Sequence, residues 1–516
     1  MRTLKNFRFG SASLVICLAW LLFGCDDDHL PGNNFIPRPQ NVRMVIDEGA
    51  AVTNDTLLRL AISGVDIDRM IISIDSLWRG AEWEDYIAQK MVSVPRREGR
   101  VNIYGRFAVN GGGTTDVHQA YIDLDLTACI ISLNVLAPSD TLKFGDEVHF
   151  SMVTGEAGCA EIAFGSILSG YQLPLIDSGA YSRTLKIPAA VSDSAARVIG
   201  YFTDVAGNQA LPFNSGIQFV VNSIPFQLQR VGSLRMPGAR NIDVVFKSGF
   251  CFVSDAQQEL LYVIDVRDPA RPTLARMLPM ADWTAGLCAN DRALFVADGD
   301  GGIAVVGINP PGAAGEIARL LIYGKVRDVK LTQRCLYAAC IYTGFWTVNI
   351  DEIYSPQAGQ NVPLTGFGEK LCLNGNLVYI TGSSGLSILN MEDVAKPKVI
   401  SEIAIADVPS DVVFSEGHLI ISTLLSGLKI VDVRTPRLPV IKQCYREFYS
   451  IRALELDPPF IFAGTDARIL IINIGHIDRP QLVSQITGLR PVNGMCIDDK
   501  YLYIACEDGF EIVQLY

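Results

Sequence analysis

At 516 residues the chain is too long for one ordinary core, and 49% hydrophobic against 19% charged residues excludes a disordered polymer. A net charge of −12, with no run of Lys and Arg beyond the first ten residues, excludes a dedicated nucleic-acid binder, which needs a basic stripe to neutralise phosphates. Beyond solubility, the acidity names no partner.

Residues 1–25 read as an address. Arg2, Lys5 and Arg8 form a basic start, Ala12 to Leu22 is a short apolar segment, and Leu22-Phe23-Gly24-Cys25 closes it. That tetrad resembles the lipobox of bacterial lipoproteins, although Phe23 stands where a small residue is more usual. The resemblance implies lipidation of the Cys25 thiol and a new N-terminus there; an ordinary secretory signal with a chance cysteine is the alternative. No later stretch is long and apolar enough to span a bilayer, so the acyl anchor is the expected membrane attachment. Residues 26–38 read as a polar tether, which puts the protein at the bacterial envelope with the leaflet open.

Residues 39–126 alternate apolar and polar in short runs between Gly-, Asn- and Asp-rich turns, the pattern of a β-sandwich. EGAAVTND (48–55), RLAISG (59–64), Met70 before IISID, WRGAEWEDY (78–86) and VNIYGRFAVNGGG (101–113) resemble a bacterial surface immunoglobulin-like module. Residues 127–223 repeat the class in other words, with GYFTDVAGNQA (200–210) near the end. There Asp204, Gly207 and Asn208 suit a tight turn, and too few carboxylates are expected to converge for calcium. Of twelve cysteines none forms a CxxC pair, and Cys129 and Cys159 are the candidates for a bridge in an oxidising compartment.

From about 224 the period changes. Strand-end residues Asp265, Gly307, Asn349, Asn390, Asp432, Asn473 and Gln514 recur at steps of 41 or 42. Seven units of short strands at that spacing predict a seven-bladed β-propeller over 224–516. LLYVIDVRDPARPTL (260–274), GLSILNMEDVAKPKV (385–399), GLKIVDVRTPRLPV (427–440) and RILIINIGHIDRPQL (468–482) resemble the LVIVD repeats of exported bacterial and archaeal proteins. Repeat five reads as inner strand DVVF (411–414), then HLIIST (418–423), GLKIVDV (427–433) and outer strand PVIKQCY (439–445). Repeat seven lacks an outer strand, and PFQLQRVGSL (225–234) is expected to supply it, because an open edge leaves backbone groups unpaired.

Near the start of the inner strands stand Asp243, Gly286, Asp328, Lys370, Asp411, Arg452 and Gly494, none of them apolar. Asp243, Asp328, Lys370, Asp411 and Arg452 are therefore the candidate binding residues at one channel mouth; a solvated rim of compensating charges is the alternative. Two residues on, Val245, Cys288, Lys330, Cys372, Val413, Leu454 and Cys496 read as a buried column. The five histidines are scattered, and no nucleophile elbow, phosphate loop or zinc-protease motif is present.

The sequence thus reads as an all-β chain: two immunoglobulin-like β-sandwiches followed by a seven-bladed β-propeller. The expected function is non-enzymatic, a cell-envelope lipoprotein binding or scaffolding a protein or glycan partner, with no cofactor or metal. An enzyme acting on polysaccharide or small substrates at the channel mouth, and a structural surface-layer or adhesion component, are the alternatives.

Overall fold

The structure, a computed structural model, describes residues 37–516 apart from 334, 447 and 449; the signal segment, Cys25 and most of the tether lie outside the described residues. Among the described residues the regular elements are β-strands and two short 3-10 turns. The chain divides after Leu124 into two compact regions.

In the first region, strands Gln40–Ile46, Leu57–Val65 and Gln89–Ser93 form one sheet, and a five-stranded sheet is built around Gly99–Ala108. Side chains alternate across a strand, so Leu58, Leu60 and Ile62 are buried while Leu57 is exposed. The second region opens with two more sheets, one centred on Ser192–Asp204 and one on Ala180–Lys186 and Glu147–Thr154. Phe150, Phe164, Phe202 and Phe219 fill the space between them.

Five four-stranded antiparallel sheets follow in chain order, each running from its first strand to its fourth. A six-stranded sheet joins the two ends of this series. At its centre, strand Gln229–Lys247 pairs its first half with Tyr501–Gln514 and its second half with Phe250–Asp255. First strands pack on first strands from Gln229–Lys247 round to Val492–Asp498, which lies in that same six-stranded sheet, so the sheets close into the ring of a β-propeller. The second strands of the repeats, such as Phe250–Asp255 and His418–Thr423, are buried throughout because sheets cover both their faces. Outer strands such as Thr273–Pro279 are mostly exposed.

The second region has no break at residue 223. Phe144 lies 4.6 Å from Tyr516, and the Ser169 hydroxyl donates to the Gly475 carbonyl at 3.2 Å. Ile167, Phe460 and Leu515 belong to one continuous apolar core. Arg183 pairs with Glu416 at 2.9 Å, and the N–H of Gln172 donates to the same carboxylate. Residues 125–222 are therefore docked on the propeller. Cys129 and Cys159 are free thiols, correcting the candidate bridge; Cys159 faces Glu161, 3.7 Å away.

Candidate functional site

The inner strands place carboxylates where the ring needs acceptors. Asp243 accepts the N–H of Val244 at 2.8 Å and that of Leu287, on the next inner strand, at 2.9 Å. Asp328 does the same with Val329 and Leu371, both at 2.9 Å. Asp411 takes Val412 at 2.9 Å and Leu454 at 2.8 Å, and Glu455 takes the N–H of Ile497 at 3.1 Å. An inner strand has one edge facing the channel with no strand beside it, and these carboxylates satisfy amides on that edge. They are staples between neighbouring repeats.

Lys330 follows Asp328 by two residues and so shares its face. Asp328 beside it, helped by Asp243 and Asp411, holds the Lys330 ammonium above the usual lysine range against the opposing effect of burial. Burial likewise opposes the charge of Lys370, and Asp411, Asp328 and Asp243 together outweigh it, so its pKa is also raised. Burial raises Asp243 despite both lysines, and pushes Glu455 up to about 8. Two lysines thus face three aspartates and a glutamic acid that tends to keep its proton.

This geometry refines two expectations. Asp243, Asp328, Lys370 and Asp411 do come together as a network of opposed charges, with Asp328 buried at 1% exposure and the other three half-buried. Arg452 does not join them. Ala453 pairs with Gly464 as Asp411 pairs with Ser422, so Ala453 holds the equivalent place and Glu455 falls in the column of Lys330. Arg452 stands at the place of Arg327 and Ser410, one residue nearer the mouth, and holds Asp466 at 2.5 Å and Asn493 at 3.4 Å.

The mouth itself is built one residue earlier. Ile242, Arg327, Glu369, Ser410 and Asn493 are skipped in the pairing of their inner strands, each at a β-bulge that sets an extra residue beside the channel. Arg327 lies 4.0 Å from Glu369 and stacks over Trp283 at 4.5 Å. Around this end the connecting loops expose Leu321, Tyr323, Tyr342, Phe367, Val408, Leu424 and Leu425, with the rings of Tyr342 and Phe367 5.5 Å apart edge to face. Tyr323 is 81% exposed and Leu425 80%. Sequence reasoning missed this arc, since single apolar loop residues carry no periodic signal.

Two other acidic groups lie outside this network. Asp298 of the ADGDGG hairpin is buried against Arg319, while Asp300 pairs with Lys325 at 3.0 Å. Asp125, Glu156 and Asp204 do converge, their ligand oxygens within 4.8 Å of one another, where the sequence suggested too few carboxylates. Asp204 accepts both the N–H and the side-chain amide of Asn208 at 2.8 Å, which builds the turn. The Cys288, Cys372 and Cys496 thiols are all raised by burial, the last two to about 12.

Residues 239–277 match the family model of the LVIVD repeat. Among solved structures, the computationally designed Ika8 protein is similar at 12% identity and TM-score 0.41, covering 63% of this chain and 95% of its own. The β-propeller domain of Myceliophteria thermophila Cps50 (Swd1) is similar at 14% identity and TM-score 0.46, covering 57% of this chain and 100% of its own. No curated protein matches the chain.

Proposed function

We propose that the chain is an exported lipoprotein of the bacterial envelope, anchored through Cys25, whose propeller binds or scaffolds a protein or glycan partner without catalysis. In this reading two immunoglobulin-like sandwiches precede a seven-bladed propeller. The six-stranded sheet counts as two blades sharing Gln229–Lys247, beside five four-stranded sheets. The observation that carries the binding role is the exposed apolar arc of Leu321, Tyr323, Tyr342, Phe367, Val408, Leu424 and Leu425 around one mouth. Exposed apolar side chains gathered at one end of a ring, beside paired charges, mark an interaction site. The channel carboxylates hold backbone N–H groups of the neighbouring repeats, a structural role that accounts for them without catalysis.

Cross-linking in the native envelope, with partner identification, tests the reading. Wild type should capture a partner that a Tyr323→Ala, Tyr342→Ala, Leu425→Ala triple variant loses at equal expression. Identical capture by both proteins, or substrate turnover by the purified chain, would overturn it.

A further inference from the structure

The docking of residues 125–222 on the propeller creates a second concave surface, separate from the mouth. One wall carries Cys159, Glu161 and Tyr201, and the other carries Asn374, Tyr379 and Arg434. The cleft has a volume of about 1100 Å³, and a smaller one of about 470 Å³ adjoins it past Gln172 and Glu416. That is room for several fused or linked rings, beyond the usual pocket of a single small molecule.

Three features narrow the ligand class. The charged groups on the walls answer one another: Arg434 lies 2.6 Å from Asp432 and 3.7 Å from Glu161, and Glu416 is held by Arg183. A strongly charged ligand would have to break those pairs. Tyr379 lines the cleft with its side chain fully buried, and its hydroxyl closes no hydrogen bond, with the Asn374 amide standing near it. A buried hydroxyl left without a partner costs free energy that an arriving hydroxyl or water would recover. Tyr201 stands 40% exposed on the opposite wall and offers a ring face. Gln172, Asn374 and the tyrosine hydroxyls add neutral donors and acceptors.

From the pairing of the wall charges, the unpartnered Tyr379 hydroxyl and the exposed Tyr201 ring, we infer that this cleft binds a neutral oligosaccharide. Sugar hydroxyls suit mixed donors and acceptors, and the apolar face of a pyranose suits an aromatic ring. Residues 125–222 then form half of a binding site, in keeping with the core they share with the propeller.

Calorimetry on the detergent-solubilised full chain, with neutral hexasaccharides of glucose, mannose, xylose and N-acetylglucosamine as probes, tests the assignment. At least one should bind. Tyr201→Ala should weaken it tenfold or more and Tyr379→Phe about fivefold, while Tyr323→Ala at the mouth leaves it unchanged. Tyr379→Phe keeps the ring that stacks on Phe414, at 5.9 Å and 11°, so folding is preserved. Four results would each overturn the inference: no probe binding, binding indifferent to both cleft variants, binding lost with Tyr323→Ala, or tighter binding of a polyanionic hexagalacturonate. A protein partner lost with the mouth variants while saccharide binding persists would separate the two sites.

Discussion

The Asp411 carboxylate accepts the backbone N–H of Leu454 at 2.8 Å, so a side chain of repeat five completes the hydrogen bonding of repeat six. Its other oxygen holds Val412, and Lys370 feels its charge from the preceding repeat. Replacing Asp411 by alanine removes acceptors from two amides and leaves a lysine less compensated, at an expected cost of about 2–4 kcal/mol. Asn retains one acceptor and should recover part of that. Arg452→Ala, which breaks an exposed pair with Asp466, should cost no more than about 1 kcal/mol. Urea midpoints of the three variants decide the matter, and an Arg452 variant less stable than Asp411→Ala would contradict the staple.

The contrast between Asp411 and Arg452 also shows where sequence reading stops. Strand positions within a repeat were legible: 418–423 is observed as His418–Thr423, and inner strand 411–414 lies within Pro409–Ser415. Alternation and turn residues set those limits locally. The depth of Asp328 and the stapling role of the aspartates were not legible, because a polar side chain in a strand looks solvated until its amide partners on the next repeat are known. Arg452 was misplaced by a shortened hairpin. The Thr423 hydroxyl donates to Gly427, whereas the equivalent Thr465 donates to Arg468, one residue sooner. Counting back from the strand end therefore slips by one, and hides Glu455. Docking of residues 125–222 was equally invisible, since an apolar strand face does not say which other face covers it.

Glu455 makes the ring sensitive to pH. Its ordinary value of 4.5 is raised by burial to about 8 in the folded chain. The unfolded chain therefore releases this proton between about 4.5 and about 8 while the folded chain keeps it, so stability falls as pH rises through that window and levels off above it. The slope from one such group is at most about 1.4 kcal/mol per pH unit. Glu455→Gln keeps an acceptor for the Ile497 N–H and removes the proton. Relative to wild type, the variant should gain stability steadily from pH 5 to pH 8, read as denaturant midpoints. A constant difference across that range would show that Glu455 ionises freely.

Thiol chemistry offers a separate check on burial. Cys129 and Cys444 are exposed, whereas Cys251, Cys340 and Cys506 are buried and Cys159 is pushed up to about 11, chiefly by burial. A thiol reacts as its thiolate, so raised and shielded cysteines are slow. With a chromogenic disulfide reagent at pH 8, Cys129 and Cys444 should be modified first and the buried thiols only on adding denaturant. Mass mapping that found Cys288 or Cys372 among the fast sites would show an open channel instead of a packed one.

The common core of residues 125–222 and the propeller sets the last expectation. Phe144 meets Tyr516 at 4.6 Å, and Ile167 shares one apolar cluster with Phe460, Leu489 and Leu515. Cutting the chain at residue 223 would leave these apolar surfaces open, and an exposed surface of that kind drives association. A fragment spanning 125–516 should melt in one calorimetric transition and elute as a single species. A fragment spanning 224–516 should aggregate or melt at least several degrees lower. Arg183→Ala in the longer fragment loses the bond to Glu416 at a cost of about 1–2 kcal/mol, reduced by the partial exposure of both groups, without splitting the transition, because the apolar core remains. A shorter fragment as soluble and stable as the longer one would mean that the contact is incidental, and with it the cleft.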